Sequence, residues 1–167
     1  TSTMSSADPL LRRRRRSSPA AVVIAATFSL AACASGPRTV EVLAQGAAQL
    51  NPTFDGQPSA VNVRLFPLVA KEAFENATDQ DLQADPPKLE TTSWVAPHKE
   101  AVVYVGQRNW VTIELQPQVR FVGVLGLFNE STGTHRVVVE ASKLASEKLV
   151  FEQFSIGLQP RAAEDRK

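Results

Sequence analysis

Residues 119–128 constrain this chain more than any other stretch. Phe121, Leu125 and Leu127 alternate with Val122, Val124 and Phe128, so both faces of the segment are apolar. A strand of that kind must be covered twice, by a facing sheet and by something on its outside. Short alternating stretches recur at 39–50, 60–68, 101–105, 110–115, 134–140 and 149–158, with a weaker candidate at 89–95. In the second of these, Val61, Val63 and Leu65 face one way and Asn62 and Arg64 the other. Val111, Ile113 and Leu115 likewise alternate with Thr112 and Glu114. About seven such strands with near-regular turns predict a mainly β, two-sheet β-sandwich.

One helical signal, at 69–84, interrupts the pattern between the second and third strands. Phe74 and Ala77 share a face and Leu82 follows. Thr78, with Asp81 three residues on, reads as a capping box, so a second short helix should start there. Asp85-Pro86-Pro87 ends it. Phe74 and Leu82 need apolar partners, and the strand at 119–128 needs an outer cover. The expectation is that these needs meet, with the helices lying outside the sheet that holds that strand.

The N-terminal part is of another kind. Arg12–Arg16 precede an apolar stretch, 19–30, and Leu30-Ala31-Ala32 leads into Cys33, the only cysteine. A basic head, a short apolar core and small residues at the cut make a secretory signal. A cysteine directly after them resembles a lipobox, which assigns Cys33 as the lipidation site, carrying a diacylglycerol and an N-acyl chain. The apolar stretch falls short of the about 20 residues a spanning helix needs, so a transmembrane anchor is the weaker alternative. The arginine run also fits a twin-arginine signal, leaving the export route open. Ala34, Ser35 and Gly36 follow the cysteine, with no Asp beside it, which favours the outer membrane. The expected organisation is a signal at 1–32, lipidated Cys33 and tether at 33–38, a sandwich at 39–158, and a polar, frayed tail at 159–167.

Processing changes the charge. Arg12–Arg16 and Asp8 leave with the signal, so 18 basic and 17 acidic groups become 13 and 16, a net of −3. No basic patch is left for nucleic acid. Without a second cysteine the fold rests on packing alone. No enzyme is expected: no Gly-x-Ser-x-Gly elbow is present, and Asp79 with Asp81 suits a helix's first turn better than a catalytic dyad. His98 and His135 are the only histidines and lack metal-ligand spacing, so neither metal nor cofactor is expected. Trp94 and Trp110 read as core or strand-edge aromatics, with a ligand platform as the alternative.

The series Leu50-Asn51-Pro52, Ser59 to Leu68, Ala73-Phe74-Glu75-Asn76-Ala77 and Leu82 resembles the TssJ (SciN, VasD) lipoproteins of type VI secretion systems. Phe121-Val122-Gly123-Val124 resembles their central strand, and Arg136 the basic residue opening the next one. Pro67 departs from a common Gln, and His135 from the usual Trp. The resemblance implies a transthyretin-like sandwich with a helical insertion. It implies an outer-membrane, lipid-anchored protein facing the periplasm, docked to the periplasmic C-terminal domain of TssM. It also implies partner binding by the loop between the first two strands: Asn51, Pro52, Thr53, Phe54, Asp55, Gly56 and Gln57. Phe54 is the one large apolar residue there, either an exposed interface anchor or folded onto the sandwich edge. The rival reading is a periplasmic lipoprotein holding a small ligand or carbohydrate in an aromatic-lined pocket near Trp94 or Trp110.

Overall fold

A computed structural model describes residues 36–162 and Asp165; the signal and Cys33 lie outside the described residues. The first strand, β1 (Arg38–Gly46), is followed by β2 (Val61–Leu68), α1 (Glu72–Asn76), α2 (Asp79–Gln83) and β3 (Lys99–Val103). Then come β4 (Arg108–Leu115), β5 (Phe121–Leu127), β6 (Arg136–Glu140), β7 (Glu147–Phe151) and β8 (Ile156–Pro160). They form two four-stranded sheets, ordered β4-β1-β7-β8 and β3-β2-β5-β6. The β1–β7 pair is parallel and the other pairs are antiparallel.

The alternation read from the sequence fills the space between the sheets. Val42 and Ala44 of β1 meet Val61, Val63 and Leu65 of β2, with Val111, Ile113, Val122, Val124, Leu149 and Phe151. The opposite face of β2 and β5 builds a second cluster of Phe66, Leu68, Leu125, Phe74 and Leu82. The two helices therefore cover the sheet containing β5, as expected, and each side of that strand is sealed. Phe74 lies with its ring 5.4 Å from that of Phe66. It lies directly over Gly123, where a Cβ would come within 2.8 Å of the ring.

Both helices have only five residues, too few to persist without outside contacts. Thr78 caps α2 as the sequence predicts: its hydroxyl accepts from the Asp81 N–H at 3.1 Å. The Asp81 carboxylate accepts in turn from the Thr78 hydroxyl at 2.6 Å. Neither helix has a basic residue in its last turn; the sheet supplies one instead. Arg64 Nη1 donates to the carbonyls of Leu82, Gln83 and Ala84 at 3.1, 2.7 and 3.2 Å. Arg136 Nη1 donates to those of Phe74 and Ala77 at 3.2 and 2.6 Å. Two arginines on the sheet thus satisfy the orphan carbonyls that end both helices.

Four local expectations are corrected. The stretch 89–95 is not a strand but a turn followed by one bridge, Leu68 to Trp94. Trp94 is drawn into the outer cluster, 6.2 Å from Phe66, and this packing overrides the β-propensity of its neighbours. The stretch 149–158 is two strands. Its turn carries neither Asn-Gly nor Pro and closes through the Glu152 N–H to the Ser155 carbonyl at 2.9 Å. The first strand ends at Gly46, where the Tyr104 carbonyl leaves no room for a side chain. The tail is not simply frayed: Arg161 and Asp165 are both bonded to the body, and Asp165 is buried.

Pro67 disturbs nothing, because β3 ends its pairing at Leu65. Beyond that point β2 needs only to accept, and the Val95 N–H donates to the Pro67 carbonyl at 2.8 Å. His135 fills an aromatic slot, 5.6 Å from the Phe128 ring.

Candidate functional site

The connection from β1 to β2 is a built loop. Asn51, at its start, takes a φ of 43°, a left-handed conformation that Asn tolerates better than most residues. Its side chain is buried and its amide bonds hold three segments together. Asn51 Nδ2 donates to Ser59 Oγ at 3.1 Å and to the Ala60 carbonyl at 2.9 Å. Ser59 Oγ donates back to the Asn51 carbonyl at 2.6 Å. Asn51 Oδ1 accepts from the Asn129 N–H at 2.7 Å. Asn129 Nδ2 reaches the Asn51 and Pro52 carbonyls at 3.2 and 3.3 Å. The Asn51 N–H donates to the Gln153 carbonyl at 2.8 Å. The loop base is thereby tied to the β5–β6 and β7–β8 turns.

The tip projects from that base. Thr53 and Gly56 close a turn, the Gly56 N–H donating to the Thr53 carbonyl and the Thr53 N–H to the Gln57 carbonyl, each at 2.8 Å. Gly56 supplies the φ of 75° the turn requires. Thr53, Phe54, Asp55, Gly56 and Gln57 are exposed, and Pro52 is half-buried. Phe54 is 105 % exposed, so it does not fold onto the sandwich edge. The structure thus divides the sequence-predicted residues into two groups. Asn51 positions the loop, and Thr53–Gln57 present it. Sequence reasoning missed Ser59, at the far end of the same loop, and Asn129, whose partner Asn51 is distant in the chain; Asn in a turn was the only signal available.

The loop occupies one pole of the sandwich, at the C-terminal end of β1. Arg38, the first residue of β1, stands at the other. Nine residues at about 3.3 Å each separate these poles by roughly 30 Å.

Other candidates form no site. His98 stacks on Phe66 at 5.5 Å, and its Nε2 lies 3.4 Å from Glu100 Oε1. The His98 hydrogen bond, then the Arg64 charge, hold the Glu100 carboxyl below its usual range. His135 Nδ1 lies 3.7 Å from Asp79 Oδ2. Among the described residues no three ligating side chains group as a metal would need. Neither Trp94 nor Trp110 lines any of five concavities formed by the described residues, which counts against the pocket required by the rival reading. No helix among the described residues is long and apolar enough to cross a membrane.

Residues 38–156 match the family described as type VI secretion lipoprotein, VasD, EvfM, TssJ. The T6SS lipoprotein TssJ1 from Pseudomonas aeruginosa is similar at 23 % identity and a TM-score of 0.63, covering 76 % of this chain and 98 % of that one. Serratia marcescens Lip, a membrane-bound component of the type VI secretion system, is 16 % identical with a TM-score of 0.65, covering 75 % and 99 %. A chain in a structure described as the T6SS protein TssM C-terminal domain from EAEC is 24 % identical with a TM-score of 0.61, covering 74 % and 98 %. No curated protein matches.

Proposed function

Because this chain belongs to the type VI secretion lipoprotein family, a structural component of the secretion apparatus, we propose that it anchors the system's membrane complex to the outer membrane. In this reading 1–32 is a cleaved signal, Cys33 carries the acyl chains, and 34–38 tethers the sandwich in the periplasm. One acyl chain holds a protein only marginally, so stable anchoring needs the several chains such a cysteine receives. The loop 51–60 docks the periplasmic C-terminal domain of TssM. The chain needs no cofactor and turns over no substrate; its work is to hold.

A single observation carries the docking assignment: a fully exposed Phe54 on a loop whose base is fastened by the buried Asn51 amide. An aromatic presented to solvent on a fastened loop has an apolar face to bury. The family resemblance and the fold shared with a structure described by its TssM C-terminal domain support the choice of partner. The polar arrangement suits an anchor. The strand leading from the proposed lipid begins at one end, and the presented loop stands at the other.

Two measurements test this. Phe54→Ala should weaken binding of the TssM periplasmic fragment by about 2 kcal/mol or more, roughly thirtyfold, with the melting temperature unchanged. Unchanged affinity removes the loop tip from the interface. Mass spectrometry of the processed protein should find acyl groups on Cys33; a bare thiol there overturns the anchor.

A further inference from the structure

The helical cover over the outer face of β5 stops short of one end. Val103 and Val105 point into the core between the sheets, so Val102 and Tyr104 point outward, where they are 37 % and 47 % exposed. The register sets Val102 opposite Asn62 of β2, and Asn62 opposite Leu127 of β5. Two residues along β2 stands Arg64, opposite Glu100 and Leu125. The helices reach that far and no further: Arg64 holds the last carbonyls of α2, and Leu125 belongs to the cluster beneath the helices. The next row, Val102, Asn62 and Leu127, lines an open hollow of about 390 Å³ together with Arg64 and Glu100. Val102 and Asn62 are exposed there and Leu127 is half-buried. A strand apolar on both faces calls for cover on both, and at this row the outer cover is missing.

We propose that this hollow, with Tyr104 at its rim, is a second and apolar contact for the same periplasmic domain that takes Phe54. The inference rests on the docking role of the loop and extends it. Two observations support it. The first is area. A specific interface covers about 800 Å² and roughly 20–30 residues on each side, whereas the loop tip presents only Thr53–Gln57. A partner seated on Phe54 has to spread further over this pole. The second is continuity. The Ala60 carbonyl accepts from Asn51 at the loop base, and the next residue, Val61, pairs with Val103. Tyr104 therefore leaves the ladder at the end where the loop joins β2. On the other side, Leu127 lies two residues before Asn129, whose N–H is bonded to Asn51. The hollow is thus bordered by the residues that fasten the loop.

The lining states what the partner brings. Val102, Leu127 and the Tyr104 ring offer apolar surface, which an apolar side chain would bury favourably. Asn62 lies between them with an amide oxygen and an NH2 group, a match for a main-chain or amide group on the partner. The charges at the inner edge are spent on each other, with Arg64 Nε 3.1 Å from Glu100 Oε1. A charged side chain entering the hollow would be desolvated without a free counter-charge, so the contact selects against one. Tyr104 supplies a large aromatic at the rim, a residue type on which binding energy concentrates.

The test uses the full processed chain and the TssM periplasmic fragment. Tyr104 is the only tyrosine of the chain, so tyrosine nitration, read by mass spectrometry on the peptide that holds it, reports on this contact alone. The fragment should protect Tyr104 from nitration. Tyr104→Ala and Val102→Glu should each weaken binding roughly tenfold, whereas Thr112→Glu, at an exposed position of β4 in the other sheet, should not. Should either hollow variant fail to fold, nitration of the unaltered chain decides. Binding weakened by Phe54→Ala but not by Tyr104→Ala and Val102→Glu, or nitration undiminished in the complex, overturns the proposal and leaves the loop's role standing. The reverse pattern supports the hollow and removes the loop. A fragment that does not bind the unaltered chain overturns both.

Discussion

Asn51 is the residue on which the candidate site turns, through what it holds rather than what it touches. Its side-chain amide satisfies groups from two segments, the Ala60 carbonyl and the Asn129 N–H, while its main-chain N–H holds a third, at Gln153. Asn51→Ala should lower stability by about 1–3 kcal/mol in urea titration, since it strands buried partners. It should also weaken partner binding although Phe54 is intact. Phe74 plays the equivalent part for the outer cluster. Phe74→Ala should cost about 3–5 kcal/mol, and Gly123→Ala about 1–3 kcal/mol through overpacking against the Phe74 ring. Phe74 and Leu82 were legible in the sequence because an apolar residue in a polar stretch has to be buried. Asn51 was legible as a turn residue only. Its role depends on Ser59 and Asn129, which no local pattern connects to it.

At the scale of elements, charge and capping decide what propensity leaves open. The Thr78 hydrogen bond holds the Asp81 carboxyl below its usual range. A lowered folded value means that the cap is fully present above the ordinary carboxylate pKa and lost as pH falls through the lowered one. The protection of α2 amides relative to their intrinsic exchange should therefore fall in acid, below about pH 4, and Thr78→Ala should abolish that dependence while costing about 1 kcal/mol at neutral pH. Arg64→Ala should free the last turn of α2, seen as faster exchange there and not in α1, which Arg136 holds. The capping box was readable because it is local, three residues from end to end. The arginine caps were not, since they join β2 and β6 to helices from another part of the chain. The same locality explains the strands. Alternation revealed β2, β4 and β5, whereas the β7–β8 turn was hidden by the lack of any turn-forming dipeptide.

For the whole molecule the informative fact is polarity of placement. The β1 strand starts at one pole and delivers the chain to the candidate docking loop at the other, so in the proposed function the anchor and the partner would attach at opposite ends of the sandwich. The chain between them is already nearly extended and leaves little length to release under load. Alternating hydrophobicity, the doubly apolar segment and the capping signals determined most of the strands, the two-layer core and the outer position of the helices. Each of these follows from side chains a few residues apart, which periodicity exposes directly. Tertiary structure alone decided that β3 and β4 join different sheets, that Asn51 fastens a loop to two distant turns, and that Asp165 is buried against charges from β4 and β7. Those outcomes depend on contacts between residues far apart in sequence, and only the folded chain brings such partners within reach.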